Sequence, residues 1–381
     1  TVLLEGYLNG FNAHGCDMNP LAVKIGRAKT EVITLPQRAV DRALSALAQS
    51  LKGFSGHFPD AVDQFNADVI DEVYSWFPTP VVHKLNWLLG QIRLFGEARL
   101  VNFLEVLVSD CIREVSQQDP TDLRIRRRAE PISDAPLIDL FLQRLETQQR
   151  RLEHFWTVSS RRPFPFLAAA VTEGDCRDAK TFGSLGLVQG SVDAVVTSPP
   201  YATALPYIDT DRLSLMAILG MPSGPRRTVE ERLTGSREIP NAERAAVETL
   251  LFGDAATDIL PEGLIAELRE IHRRNVEDGA GFRRLNMPAL LYRYFTDMNA
   301  NLANVATVLR SGAKAFYVVG DSKTKVGGEW FPIRTTEWLM HIGERNGLRA
   351  SKLLDISVTT ENLKHIRHAI TENAVLVFEK P

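Results

Sequence analysis

Cysteine is scarce: Cys16, Cys111 and Cys176 are the only three in 381 residues. They are scattered and lack the paired spacing of a zinc site or a disulfide framework. This points to a reduced, cytoplasmic protein with no thiolate metal centre. Long apolar runs are missing too. No stretch approaches the roughly 20 residues that a membrane span needs, and no basic-then-apolar leader opens the chain. Positive charge is not in excess: 44 Lys and Arg stand against 47 Asp and Glu, a formal net charge of -3. A nucleic-acid enzyme with this balance must gather its cations locally. The rest is ordinary for a globular protein, 44% hydrophobic and 24% charged, in a chain long enough for one elaborated domain or two.

The most informative stretch is Thr197-Ser198-Pro199-Pro200-Tyr201. The apolar run Val192 to Val196, interrupted only by Asp193, reads as a buried parallel strand. The five residues then sit on the loop leaving its carboxyl end, where open α/β sheets place their ligand chemistry. Two successive prolines stiffen that loop and remove two N–H donors, so the carbonyl between them can point outward. A hydroxyl before the pair and a ring after it suit a planar substrate with an exocyclic amine.

This stretch resembles the catalytic motif of amino-group DNA methyltransferases, the Ser/Asp/Asn-Pro-Pro-Tyr/Phe family. The Ser form is the variant associated with cytosine N4, and Asp or Asn with adenine N6. The flanks match: Gly174-Asp175-Cys176-Arg177-Asp178 upstream, and Tyr207-Ile208-Asp209 with Arg212-Leu213-Ser214-Leu215 downstream. The resemblance covers residues 1–30 and roughly 167–381. It implies an α/β, Rossmann-like S-adenosylmethionine-dependent methyltransferase sheet, with double-stranded DNA as partner and no metal. A restriction nuclease or another defence-system partner is left open. In the implied chemistry Ser198 and the Pro199 carbonyl accept from the target amine, Pro200 fixes geometry, and Tyr201 stacks on a flipped base. The amine lone pair is delocalised into the ring, and fixed acceptors localise it for direct methyl transfer. Methylation at carbon 5 needs a Cys nucleophile, usually after Pro, and none of the three cysteines follows one. RNA or protein amines, or a catalytically inactive DNA-binding relative, are the alternatives.

The N-terminal region reads as a helix Leu3 to Leu8 stopped at Gly10, a strand Phe11 to Asp17, then a helix from about Leu21 to Lys29. Asp17-Met18-Asn19-Pro20 resembles the family's second cofactor motif, which assigns Asp17, with Asn19 and Pro20, to the cofactor ribose. An isolated Asp or Asn before a helix is otherwise an ordinary N-cap; paired with the 197–201 loop, the ligand is favoured. The family's first motif, a strand ending in a Gly-rich loop, is expected just before Thr1, so the first strand and its loop are read as missing from this chain.

Residues 36–165 read as a helical insertion between 1–35 and the remainder of the methyltransferase domain, 166–381. Ala39, Leu44, Leu47 and Leu51, then Val62, Phe65, Val69, Val73 and Trp76, carry near-helical spacing. Trp76, Phe77 and Trp87 read as core. Arg124, Arg126, Arg127 and Arg128 form the densest positive run, and Arg161-Arg162 a second. Such clusters bind phosphate or are simply solvated. The sheet resumes near Leu167 to Thr172. Asp175 is the candidate acceptor for the cofactor's adenine amine, with Cys176 beside it as a small buried residue, and Asp178 caps the following turn. Strands near 12–17, 168–174 and 192–197 are expected in one parallel sheet, with Asp17, Asp175 and Ser198 along one edge. Residues 221–285 read as a mostly irregular, charge-rich excursion that, with the insertion, walls a DNA groove. A helix from Asn286 to about Leu309, strands at Ala313 to Val319, Leu348 to Ile356 and Asn373 to Glu379, and a helix Thr335 to Gly343 complete the pattern. The last two strands resemble the antiparallel hairpin of methyltransferase sheets.

Overall fold

Apolar residues three and four apart build most of this chain. In the helix Gln37–Gly53 they are Val40, Leu44, Leu47 and Leu51, all buried. Ala39, assigned to that face by spacing, is exposed, and Val40 takes its place. The computed structural model describes residues 1–54, 56–60, 62–122, 125–160, 169–202, 207–237, 239–357 and 372–381. They have a mixed α/β architecture divided into two compact units, Thr1–Glu173 with Tyr207–Val229, and Gly174–Pro206 with Glu230–Pro381. No helix among the described residues is long and apolar enough to cross a membrane.

The first unit contains a parallel strand pair, β1 (Ala13–Asp17) and β2 (Ala169–Glu173), with Asp17 opposite Glu173. Helix Pro20–Glu31 follows β1; Gly26 passes so close to β2 that an added Cβ would stand 3.2 Å from Val171. The segment 36–165 lies in this unit and supplies the helices Gln37–Gly53, Ile70–Trp76, Thr79–Arg93, Ala98–Cys111 and Leu137–Ser159. Leu85, Leu88 and Leu89 are fully buried among them; each such burial contributes about 1.5–3 kcal/mol. Trp76 and Phe77 are core residues, and Trp87 packs on Phe54 and Phe58. The buried Glu105 is answered by Lys24 at 2.7 Å and Arg93 at 2.9 Å, the pairing a desolvated carboxylate requires.

The second unit holds the larger sheet. β3 (Val192–Thr197) runs parallel to β4 (Leu309–Val319), which is antiparallel to β8 (Glu372–Glu379). β8 in turn is antiparallel to β7 (Arg349–Ser357), giving the order β3-β4-β8-β7. Helix Met287–Val308 buries Leu291, Phe295, Met298, Leu302 and Val305 and runs directly into β4. Gly312, at φ 75°, permits the irregularity at the start of the β3–β4 ladder and donates to Lys380 at 2.8 Å. Between β4 and helix Thr335–Arg345 stands a separate antiparallel ribbon, β5 (Ser322–Val326) and β6 (Glu329–Ile333).

Two expectations are corrected. β1 and β2 pair with each other in the first unit, whereas β3 pairs with β4 in the second. The single parallel sheet expected for all three is therefore not formed by hydrogen bonds among the described residues. An apolar run with a motif at its end identifies a parallel strand, but it carries no information about which strand lies alongside. Residues 221–285 are not mostly irregular. They form helices Ser223–Arg232, Asn241–Phe252, Ala256–Ile259, Glu262–Glu277 and Phe282–Leu285. Pro240 and Pro261 stand at N-cap positions as starts and not breaks, and Leu264, Ile265, Leu268 and Ile271 supply a buried stripe beneath the charge.

Candidate active site

The loop leaving β3 is anchored at both ends of its motif. Thr197 is still in register with Tyr317 of β4. One residue on, the Ser198 hydroxyl donates to the Val318 carbonyl at 3.2 Å. A carbonyl only accepts, so the serine hydroxyl is the donor in this pair and its oxygen keeps its acceptor lone pairs. Pro199 and Pro200 are half-buried, and Tyr201 donates its hydroxyl to Asn373 Oδ1 at 2.9 Å. That bond, across to β8, restrains where the ring can stand. Beneath the loop Tyr317 is fully buried and donates to Asn301 at 2.7 Å; burial raises its pKa far above the usual value, so it stays neutral.

The second unit also carries Gly174 to Asp178. Gly174 is needed for packing, since a Cβ there would meet Thr181 at 2.6 Å. Arg177 grips Asp175 through its own N–H at 2.9 Å, Nε at 2.8 Å and Nη2 at 2.7 Å. It extends to Asp297 on helix Met287–Val308 at 2.8 Å and to the Arg232 carbonyl at 2.8 Å. Burial pushes the Asp175 carboxyl upward, but the bonds and charge of Arg177 outweigh it and hold the pKa below the ordinary value. At Asp297 burial wins over Arg177 and the pKa is raised. The Cys176 carbonyl accepts from Asn304 at 3.2 Å. Asp178 caps helix Ala179–Ser184 through Lys180 N–H, as the sequence indicates.

In the first unit Asp17 ends β1 and accepts the Asn19 N–H at 2.8 Å. Asn19 is buried, with both ends of its amide engaged: Oδ1 caps helix Pro20–Glu31 at Leu21 N–H, and Nδ2 donates to Asp211 at 2.7 Å. The N-cap role is thus realised, with Pro20 in the first turn. Burial pushes the Asp17 carboxyl up against the Asn19 and Met18 N–H donors that lower it, although part of the residue faces solvent and tempers the effect. Burial likewise raises Asp211, opposed by Asn19 and Arg113 and reinforced by the charge of Asp17. Sequence reasoning missed Asp211 and Asp297. Each is an acidic residue inside a helix, Tyr207–Ala217 and Met287–Val308 respectively, and that was the available signal.

The arginine run is largely occupied. Arg127 stacks on Trp76 at 4.2 Å and donates to the Ser75 carbonyl, and Arg128 donates to the carbonyls of Ser116 and Glu114. Arg126 points outward beside Asp122 at 3.4 Å. Arg124, Arg161 and Arg162 lie outside the described residues. Arg226, counted among the cations of the 221–285 segment, is buried and fixed to both oxygens of Glu72 at 2.6 Å. It is a structural cation, not a phosphate contact.

With these positions in place, the sequence can be set beside known proteins. Over 340 residues the chain is 21% identical to the type II methyltransferase M.MvaI of Kocuria varians, spanning 86% of this chain and 69% of that protein. This similarity supports the methyltransferase family. No family model matches the chain. Among solved structures, a candidate DNA modification methylase of Thermus thermophilus is 15% identical with a TM-score of 0.20, over 23% of this chain and 37% of that one. That likeness is too partial to bear on the fold.

Proposed function

We propose that this chain methylates the exocyclic amine of a flipped base in double-stranded DNA, cytosine N4 in preference to adenine N6, with S-adenosylmethionine as methyl donor. The observation that carries the reading is the bond from the Ser198 hydroxyl to the Val318 carbonyl. With that bond made, an amine approaching this loop meets an oxygen whose lone pairs can accept. The Pro199 carbonyl serves as the second acceptor, and two acceptors localise the amine lone pair along the transfer direction. Tyr201, tethered through its hydroxyl to Asn373, supplies the stacking face. Pro200 holds the loop shape.

The bound cofactor would supply an electrophilic methyl on sulfur. Each unit, taken by itself, carries an acidic residue with the acceptor chemistry assigned to it. Asp17 offers carboxylate oxygens at the end of β1, and Asn19 and Pro20 hold that turn. Asp175 accepts three bonds from Arg177, and a carboxylate has about four lone-pair sites, which leaves room for one amine donor. Cys176 stands next to it in sequence. Among the described arginines of the run Arg126, paired with Asp122, has an exposed side chain, and we assign it, with Arg124, to DNA; Arg127 and Arg128 position that segment. On this reading the chain acts on DNA in the cytoplasm, and a restriction nuclease or another defence-system partner is left open.

Protein expressed from its complete reading frame and given methyl-labelled cofactor with separate pools of duplex DNA, RNA and protein should label DNA. Label in RNA or protein alone would transfer the site to the other amine substrates. Duplex binding with no label in any pool would make the chain an inactive DNA-binding relative.

A further inference from the structure

The ribbon β5–β6 carries an outward face with no role in the account above. Lys325 stands directly opposite Trp330 across the two strands, and Lys323 opposite Pro332, so these residues share one face. The ammonium of Lys323 lies 5.1 Å and that of Lys325 5.6 Å from the centre of the Trp330 ring, which is 54% exposed. Neither lysine forms an ion pair among the described residues. The opposite face is fixed. Val326 and Ile333 are buried, Arg274 of helix Glu262–Glu277 joins Glu329 at 2.9 Å and the Val326 carbonyl at 3.3 Å, and Asn275 accepts from Gly327 at 3.4 Å. Gly327 and Gly328, at φ 56° and 82°, make the tight turn at its tip.

A protein gains nothing for its own core by presenting an indole and two ammoniums outward on a ribbon braced from behind. Apolar neighbours that would suit a hydrophobic protein partner are lacking on that face, where Pro332 is the remaining member. From this geometry, and resting on the DNA reading above, we propose that β5–β6 is a DNA-contacting ribbon. Lys323 and Lys325 bind two backbone phosphates, and the Trp330 ring lies against the sugar or base between them. A two-stranded ribbon has the width that a DNA groove admits. Phosphate contacts of this type position an enzyme on the duplex without reading sequence.

The test is fluorescence anisotropy with a labelled duplex over a salt series, on the complete protein, the K323Q/K325Q variant and Trp330→Ala. All three positions are exposed, so unchanged melting temperatures serve as the folding control. Each phosphate contact contributes about 0.9 to the slope of log affinity against log salt, so the double variant should lose about 2 of that slope and bind at least about tenfold more weakly at low salt. Trp330→Ala should weaken binding and keep the slope. Folded variants that bind with the parent's slope and affinity, while the parent binds and methylates DNA, would overturn the ribbon assignment and leave the catalytic reading standing. A parent that binds no duplex at any salt would overturn both.

Discussion

Ser198→Ala should lower methyl-transfer turnover by about a hundredfold to a thousandfold and leave duplex affinity nearly intact. Loss of one preorganised partner for charge that develops in a transition state typically costs this much. In the proposed reaction the serine oxygen would hold the amine most strongly as the nitrogen becomes positive, so its loss should fall on turnover. The backbone should barely respond, because the side chain contributes a single 3.2 Å bond to Val318. Tyr201→Ala should produce the complementary pattern. Stacking on an aromatic side chain is worth roughly 1–3 kcal/mol per base, so use of DNA should fall by about one to two orders of magnitude while cofactor affinity is retained. Tyr201→Phe keeps the face and loses only the tether to Asn373; it should fall between the parent and Ala. Single-turnover kinetics with separate cofactor and duplex titrations measure all three. Loss of cofactor binding in folded Ser198→Ala and Tyr201→Ala proteins would place the loop in the cofactor pocket and contradict the assignment.

Arg177→Ala should be the most destabilising single change near the site, by about 3 kcal/mol. It strips the partner from two carboxylates that are each less than a fifth exposed, Asp175 and Asp297, and breaking a buried pair by removing one member costs of that order. The Asp175 contribution to the pH dependence should change sign, and that of Asp297, already raised in the parent, should grow. In the parent, Asp175 has a folded pKa below its unfolded value. Its stabilisation is present above the unfolded value and is lost as pH falls through the folded one. Without the Arg177 side chain, burial is opposed only by the backbone N–H at position 177 and the charge of Arg232 at Asp175, and by Arg293 and Thr234 at Asp297, and it raises both carboxylates. Each then takes up a proton in the folded state before the unfolded state does, so stability climbs as pH falls from neutral toward the unfolded value near 4. Urea unfolding of parent and variant across this range reads both effects. A variant whose stability runs parallel to the parent's across this pH range would contradict the role given to Arg177.

The candidate loop at 197–201 was legible in sequence because its signal is local: an apolar strand, then a hydroxyl, two prolines and a ring. Helix Met287–Val308 and the strands around it were legible for the same reason, since one face repeats and Gly312 follows closely. What sequence missed depends on neighbours. β3 shows the same apolar run whether it pairs with β1 or with β4, so the division into two sheets had no local signature. The charge of the 221–285 segment hid the stripe Leu264, Ile265, Leu268 and Ile271, because a helix needs only one apolar face. Arg127, Arg128 and Arg226 looked available as a charge pattern, yet backbone carbonyls and Glu72 hold them. The ribbon β5–β6 had a usable signal in the alternation Lys-Thr-Lys-Val, the Gly327-Gly328 pair and the run Glu-Trp-Phe. Its strands are short and polar on one face, so they resemble a loop until the turn between them is recognised.

The central claim concerns one nitrogen. Protein from the complete reading frame, incubated with S-adenosylmethionine and a mixed-sequence duplex, should leave N4-methylcytosine when the DNA is digested to nucleosides and analysed by mass spectrometry. The initial rate of its formation should fall by about a hundredfold to a thousandfold when Ser198→Ala is assayed at the same enzyme concentration. N6-methyladenine in its place, 5-methylcytosine, or no modified nucleoside at all would contradict the account.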